Sequence, residues 1–498
     1  MQKSKIVFNS IMAIAQVVIV GVVYLVLYKY LLNTIGIELL GVWSLIIAST
    51  SLALIANFGI STSIIKFVAT YHARSDIESL KKLLFTSSVF IILTYSFISI
   101  VLLFLGNSIL PYFIEPKYLS IALEILPFSL ISLIINALGG VISSSLDGIQ
   151  KNYIKSYILS FTAVLLFLLS VLLTPNYGLK GLVFAQIAQG IVVLIASLFF
   201  LNNYLQGVVS LRWNWSKKLF KEIINYGLKM QALSIMQMSF EPITKGLLSK
   251  FGGLSMVGYY EMASRLVTQL RSLIVSANQV VIPVVAGAKE TNEGYVKELY
   301  IKSFSIVLFF DILLITGVII FAPLVSYLWI GKLIPFFVFV VILNSVVVFI
   351  NILSNPAYFS YLGEGKLNWL IYSYFAISIL NPLLGFLLGS VYNGYGVVIA
   401  WNVSFLVSSI IILQSYHKLN SIALKTVLGK QDFVFICVAS PLASFGCLSL
   451  YRYLLNYTVD FIFITIFTLC FIVFVALLIK NKNFKTLLQH AKQIVARK

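Results

Sequence analysis

The sequence predicts an all-α protein threaded through a membrane by about fourteen helices, and three observations predict it. Of its 498 residues, 60% are hydrophobic and only 10% charged, against roughly 25% charged in a soluble domain. Apolar runs of about 20 residues recur from end to end, each long enough to cross a ~30 Å hydrocarbon core as a helix. The basic residues between these runs rise and fall in number from one loop to the next. Helices are the expected form because they satisfy their own backbone polar groups, as lipid demands.

Taken in order, the runs centre near Val17, Ser49, Thr94, Ile131, Leu165, Ile191, Ile235, Leu270, Leu314, Val348, Ser378, Leu406, Ala443 and Thr468. The first follows Lys3 and Lys5 and has no small-residue cleavage site, so it reads as an uncleaved span. The seventh and eighth are interrupted by Lys229, Glu241, Glu261, Arg265 and Arg271. An even number of spans should put alternate loops on opposite sides. Loops on the N-terminal side, with the two termini, hold 25 of the 35 Lys and Arg, against 7 opposite: Lys29, Lys117, Lys180, Lys245, Lys250, Lys332 and Arg452. The basic side is cytoplasmic by the positive-inside tendency, so both termini are expected there. The same placement explains the net charge of +19 without a nucleic-acid partner, which would need a basic surface in water. No loop exceeds about 20 residues, which leaves no room for a soluble catalytic domain. Cys437, Cys447 and Cys470 lie inside late apolar runs and read as buried, inert thiols.

An internal repeat organises the chain. Gly41-Val-Trp43 in the second span matches Gly258-Tyr-Tyr260 in the eighth, 217 residues on. Leu146 and Asn152 match Leu362 and Asn368, 216 on. Tyr177-Gly178 matches Tyr395-Gly396, 218 on. The expected architecture is therefore two pseudo-symmetric six-helix bundles of the same orientation, 1–210 and 211–425. An extra helix pair follows at 426–480, then a basic tail at 481–498. Parallel repeats of this kind build transporters with a substrate path between the halves.

The segments IGIELLGVWSLIIAS (35–49), LIANFGISTSIIKFVA (54–69), SSLDGIQKN (144–152), VGYYEMASRL (257–266) and YGVVIAW (395–401) resemble one family. It is the polysaccharide-exporter branch of the multidrug/oligosaccharidyl-lipid/polysaccharide (MOP) superfamily, the O-antigen and teichuronic-type flippases. These motifs pack and turn the chain, and none is catalytic. The resemblance covers the chain to about residue 420, and the last two spans resemble those of the 14-span members. It implies a multi-pass protein of the bacterial cytoplasmic membrane. Such a protein moves a polyprenyl-diphosphate-linked oligosaccharide from the inner to the outer leaflet by alternating access, for cell-surface polysaccharide synthesis. Membrane lipid and polysaccharide polymerase or assembly proteins would be its other partners.

Ionisable groups at bilayer depth cost at least about 2.5 kcal/mol each, so they usually face a wet interior. At 100° per residue, Glu261, Arg265, Thr268, Gln269, Ser272, Ser276 and Gln279 form one polar stripe on the eighth span, with Arg271 on its flank. The repeat places Ser44, Ala48 and Leu54 opposite Glu261, Arg265 and Arg271, so the fold itself does not require those charges. Arg265 either pairs with Glu261 one turn away or offers its fork of donors to a diphosphate. Arg271, Lys229, Glu261, Gln269, Asn9, Gln16, Asn344 and Asn351 complete the expected cavity lining. The asparagines, with Asn355, serve as well to glue helices together, and Lys229 can snorkel to the interface. Asp311, Glu241 and Glu124 are the candidates for an ion-coupling site, through an H+ or Na+ gradient or the membrane potential.

No metal or cofactor is expected: the histidines are His72, His417 and His490, all near loops or the tail, and no nucleotide-binding Gly loop or Ser/His/Asp set is present. A drug or cation antiporter of the same superfamily is the nearest alternative, although acidic groups would usually dominate its cavity. A membrane glycosyltransferase or polymerase is the alternative from the enzyme class; it would need a large outer loop or a carboxylate-rich site.

Overall fold

The computed structural model describes residues 2–51, 60–205, 214–278, 293–364, 366–455 and 461–481, and among these no strand occurs. In chain order the helices are α1 (Gln2–Ile35), α2 (Ile37–Ser51), α3 (Ile60–Ala73), α4 (Ile77–Ile109), α5 (Pro116–Gly148), α6 (Asn152–Tyr177) and α7 (Leu179–Leu205). They continue with α8 (Lys217–Asn278), α9 (Glu293–Val325), α10 (Pro335–Glu364), α11 (Asn368–Leu419), α12 (Leu424–Val427), α13 (Lys430–Leu454) and α14 (Phe461–Lys480). Every one of the expected span centres falls inside a helix. The seventh and eighth share α8, and the eleventh and twelfth share α11.

Local chemistry sets the helix ends. Asp76 caps α4, its Oδ1 accepting from the Ser79 amide at 2.9 Å; the hydrogen bonds with Ser79 hold the Asp76 carboxyl below its usual range. Pro116 and Pro335 open α5 and α10, where a missing N–H costs nothing. Large apolar side chains stand on the outer faces, among them Phe97 (68% exposed) and Phe104 (78%), a surface that suits lipid and not water. The protein is thus a polytopic all-α membrane protein.

The chain forms two compact units. The first comprises Met1–Glu261 and Ser378–Ala400, the second Met262–Ile377 and Trp401–Lys498. The expected boundary at 210/211 lies outside the described residues. In the first unit α7 packs against α5 and α6, and Gly190 admits Ile135 and Asn136 of α5 at 3.0 and 3.1 Å from where its Cβ would stand. In the second unit α9 packs against α10 and α13, and α13 against α14; Gly446 lies in this contact, with Phe467 and Ile320 against it.

The repeat is visible in the backbone. The chain breaks between α1 and α2 at Gly36 (φ 83°) and inside α8 at Gly253 (φ 79°), 217 residues on. These are positive-φ conformations that glycine adopts without a steric penalty. The second marker also holds, since α6 and α12's predecessor α11 begin at Asn152 and Asn368. The third marker is corrected. Gly178 (φ 55°, ψ −136°) has its conformational twin in Asn393 (φ 54°, ψ −142°), not in Gly396. Gly396 instead matches Gly181: a Cβ on either would meet the carbonyl eight residues earlier, that of Leu173 or Leu388. The offset there is 215, and the shared Tyr-Gly dipeptide had suggested 218 because letters agreed where conformations do not.

Two other placements differ from expectation. Lys245, assigned by charge counting to an outer loop, is 2% exposed inside α8. Cys437 is exposed on α13, and only Cys447 of the cysteines is buried.

Candidate functional site

Polar groups gather in one cluster in each unit. The first stands where the repeat folds back on itself. Within the first unit α2 runs beside the part of α8 that follows Gly253, and residues meet their own equivalents 217 positions on. Ser255 donates to Glu38 Oε1 at 3.0 Å. A Cβ on Gly41 would collide with the Leu254 carbonyl oxygen, and one on Gly258 would lie 2.5 Å from that of Ile37. Small residues allow this close approach of backbones, as at other membrane helix crossings. Glu38 faces its own counterpart Ser255, and the contact of Gly41 with Leu254 mirrors that of Gly258 with Ile37, so the crossing is the intrachain analogue of an isologous interface.

Four side chains meet beside that crossing. Tyr28 and Lys245 stand eight residues before the two breaks, Ser44 and Glu261 eight residues after. Tyr28 Oη donates to Glu261 Oε1 at 2.5 Å, and Ser44 Oγ to Glu261 Oε2 at 3.0 Å. Lys245 Nζ reaches Glu261 Oε2 at 2.7 Å and, one turn back, Glu241 Oε1 at 2.5 Å. Tyr28, Ser44, Lys245 and Glu261 are buried, whereas the Glu241 side chain is 56% exposed. Glu261 thus receives a cation from the other arm of α8 and neutral donors from α1 and α2. Sequence reasoning looked for its partner one turn away on its own helix. It missed Tyr28 and did not connect Lys245, on the polar side of the seventh span with Glu241, to Glu261, although adding 217 to Tyr28 gives Lys245.

The second cluster joins three helices of the second unit in two rungs. Asn344 donates to Ser264 Oγ at 3.1 Å and accepts from Asn402 at 2.8 Å. Seven residues along each helix, Arg271 Nε donates to Asn351 Oδ1 at 2.8 Å, and Asn351 donates to Ser409 Oγ at 3.0 Å. Asn355 bonds back to the carbonyls of Asn351 and Ile352. Asn344 and Asn351 therefore spend their amides on neighbouring helices. Arg271 is gripped through Nε alone; among the described residues its two terminal nitrogens have no hydrogen-bond partner. The result is a planar guanidinium oriented from behind through Nε, a group whose remaining nitrogens suit a bidentate acceptor.

The remaining expected residues are dispersed. Asn9 ties α1 to the turn before α6, donating to the Gln150 carbonyl and accepting from the Tyr153 amide at 3.4 and 3.3 Å. Gln16 is half-buried on α1, and Arg265 and Gln269 are half-buried on α8. The Lys229 side chain, like those of Ser276 and Gln279, lies outside the described residues. Glu124 is half-exposed and pairs with Lys180. Asp311 is fully buried, and neither carboxylate oxygen has a hydrogen-bond partner among the described residues. No group of three or more His, Cys, Asp or Glu able to hold a metal stands among the described residues.

Comparison with known proteins gives concordant results. A family model described as polysaccharide biosynthesis protein matches residues 35–332. A Shigella flexneri protein named as an O-antigen transporter is 23% identical over 407 residues, covering 79% of this chain and 93% of that one. Among solved structures, an inward closed lipid II flippase, MurJ, superposes with a TM-score of 0.71 at 14% identity, covering 95% of this chain and 98% of the other. An inward-facing multidrug resistance transporter of the MATE family and MOP superfamily superposes with a TM-score of 0.69 at 15% identity, covering 81% and 95%. At these identities the structural likeness speaks to the fold.

Proposed function

Because the chain belongs to the polysaccharide biosynthesis family, within the polysaccharide-exporter branch of the MOP transporter superfamily, we propose that it flips a polyprenyl-diphosphate-linked oligosaccharide across the bacterial cytoplasmic membrane. The observation that carries this reading is Arg271, a guanidinium on the apolar second part of α8, held through Nε by Asn351. A diphosphate entering a poorly hydrated cavity must exchange water for fixed donors, and a bidentate fork supplies two at once. Arg265, about a turn and a half before Arg271 on α8, adds positive charge to the same helix. The asparagines hold this arrangement together, and sugar hydroxyls meet other groups.

Release outside is assisted by the membrane potential. Moving a negative charge outward from a cell that is negative inside yields about 2.3 kcal/mol per elementary charge per 100 mV, less any positive charge that moves with it. Of the acidic groups considered for coupling, Glu124 and Glu241 are neutralised by Lys180 and Lys245. Asp311, with no hydrogen-bond partner among the described residues, is the group whose loading with H+ or Na+ would most alter its surroundings. Both termini are taken as cytoplasmic, on the loop charges.

The test is leaflet exchange of a fluorescent polyprenyl-diphosphate oligosaccharide in liposomes holding the purified protein. Arg271→Gln should slow exchange by at least about tenfold, the value of one lost charge-assisted hydrogen bond, with thermal stability little changed, and Arg271→Lys should recover part of the rate. Exchange of an amphipathic drug cation, with none of the lipid-linked sugar, would instead favour the antiporter reading.

A further inference from the structure

Asp311 stands in the middle of α9, 0% exposed, and neither of its oxygens has a hydrogen-bond partner among the described residues. It shares one face of α9 with Phe304, Ile315 and Ala322, all apolar and all buried. The side of α9 that meets α13 is a different one. There Phe309 stacks on Phe435 and Ile320 packs at Gly446, and both lie about 160 to 180° round the helix from Asp311. No cation answers the carboxylate. Lys302 of α9 lies about 180° round the helix, and Tyr300, on the same side but about 16 Å away along the axis, is bonded to His417 at 2.7 Å. The ionisable groups of α10 are Tyr358, Tyr361 and Glu364, all in its last two turns, and Glu364 is engaged by Lys366 and Tyr416. Those of α13 that carry charge, Lys430, Asp432 and Arg452, stand at its two ends. Lys425 of α12 is exposed, and Arg271 of α8 gives its Nε to Asn351. None of these groups bonds Asp311.

An ionised carboxylate so placed bears the whole cost of its lost hydration, and the least costly remedy is to take up a proton. A sodium ion is a poorer remedy, because it brings a charge of its own and needs several further oxygens around it. The hydroxyls of α9 nearest in sequence, Ser305 and Thr316, lie about 120° and 140° round the helix from Asp311. We propose that Asp311 is a proton site that excludes sodium and is occupied in this conformation, carboxylate and H+ combining to a neutral carboxylic acid. The proton leaves only when water reaches this face of α9, which ties its release to a movement of that helix. The inference deepens the flippase reading and rests on it only for the use to which the proton is put. It also links folding to pH. The native chain holds one proton more than the unfolded chain wherever a free carboxyl is ionised, so this group's contribution to stability falls as pH rises.

The experiment is infrared difference spectroscopy of the full chain in phosphatidylcholine nanodiscs at pH 7, parent minus Asp311→Asn. The expected result is the carbonyl stretch of a neutral carboxylic acid, shifted in D2O and unchanged when sodium replaces potassium. Asp311→Glu, which keeps a titratable group, should retain the band at a displaced frequency, and it serves as the second variant should Asp311→Asn fold poorly. Carboxylate bands in place of the acid band, or an acid band that sodium removes, overturn the proposal. Thermal unfolding in detergent at pH 6 and pH 8 supplies an independent reading. The parent's folding equilibrium should gain up to about tenfold per pH unit on acidification relative to Asp311→Asn, and equal pH slopes would count against a bound proton. Leaflet exchange by the parent separates the two readings. Exchange by a protein whose Asp311 is ionised removes the proton site and leaves the flippase, while a sodium-insensitive acid band without exchange of the lipid-linked sugar removes the flippase and leaves the proton site.

Discussion

The two halves of the repeat solve the same packing problem with different chemistry. At equivalent positions around the crossing of α2 with α8, the first half places Tyr24, Tyr28 and Ser44, and the second places Glu241, Lys245 and Glu261. The backbone around them is the same, with a positive-φ glycine at each break and a glycine at each close approach. A neutral aromatic and hydroxyl set therefore suffices to build the element. The charges of the second half are an addition to the architecture, and an ion pair buried in place of neutral groups is seldom a net source of stability. What they contribute must be sought in transport, or in the specificity of the crossing.

The largest effect should come from breaking the pair on one side only. Lys245→Met leaves Glu261 buried against neutral donors and should cost about 3 to 5 kcal/mol, seen as a large fall in melting temperature in detergent. The sharper version converts the second half into the first. Lys245→Tyr with Glu261→Ser should regain most of that loss, because no charge is then stranded. If the double variant melts as low as the single, the equivalence of the halves is wrong; if it is stable but does not transport, the charges serve the cycle.

Next in size is the crossing itself. Gly41→Ala and Gly258→Ala each push a Cβ into the opposite backbone and should each cost about 1 to 3 kcal/mol. The two losses should be similar, and together they should fall short of additive because both act on one contact. A large loss for one and none for the other would show that the crossing is not symmetric.

The rungs of the second unit allow a finer comparison. Asn344→Ala and Asn351→Ala each remove two interhelical bonds, worth about 0.6 to 1.7 kcal/mol apiece in a membrane, so their stabilities should match. Their transport rates should not, because Asn351 alone orients Arg271. Equal transport by the two would detach Arg271 from the mechanism. The smallest effect is conformational. Asn393 adopts the backbone geometry of Gly178, a region that costs a non-glycine residue about 1 kcal/mol or more. Asn393→Gly should stabilise the protein by about that amount and Gly178→Asn should destabilise it similarly, as thermal melts would reveal.

Much of the fold was legible because span length, apolar content and loop charge are additive along a chain. The crossing was half-legible: Gly41 and Gly258 were matched from sequence, but that equivalent residues touch one another is a property of the axis, which no single helix reveals. For the same reason the partner of Glu261 was sought on its own helix, where a helical projection could see it, and Lys245, although it falls on the polar side of the seventh span, entered the loop count because charge counting has no term for burial. The third repeat marker failed because a Tyr-Gly dipeptide was matched while the break it was meant to mark is made by Asn393. Asn344, Asn351 and Asn355 could be placed on one face of α10, but their partners Ser264, Asn402 and Ser409 carry no signal in an apolar sequence.

The two rungs have equal spacings. Ser264 to Asn344 and Arg271 to Asn351 both span 80 residues, and Asn344 to Asn402 and Asn351 to Ser409 both span 58. Like two pins through three stacked plates, they forbid small slips: any slide shorter than the roughly 10.5 Å between rungs unseats both at once. The second part of α8, α10 and the last part of α11 should therefore travel as a single block, and Arg271, pinned within it, can change its surroundings only when the whole block moves.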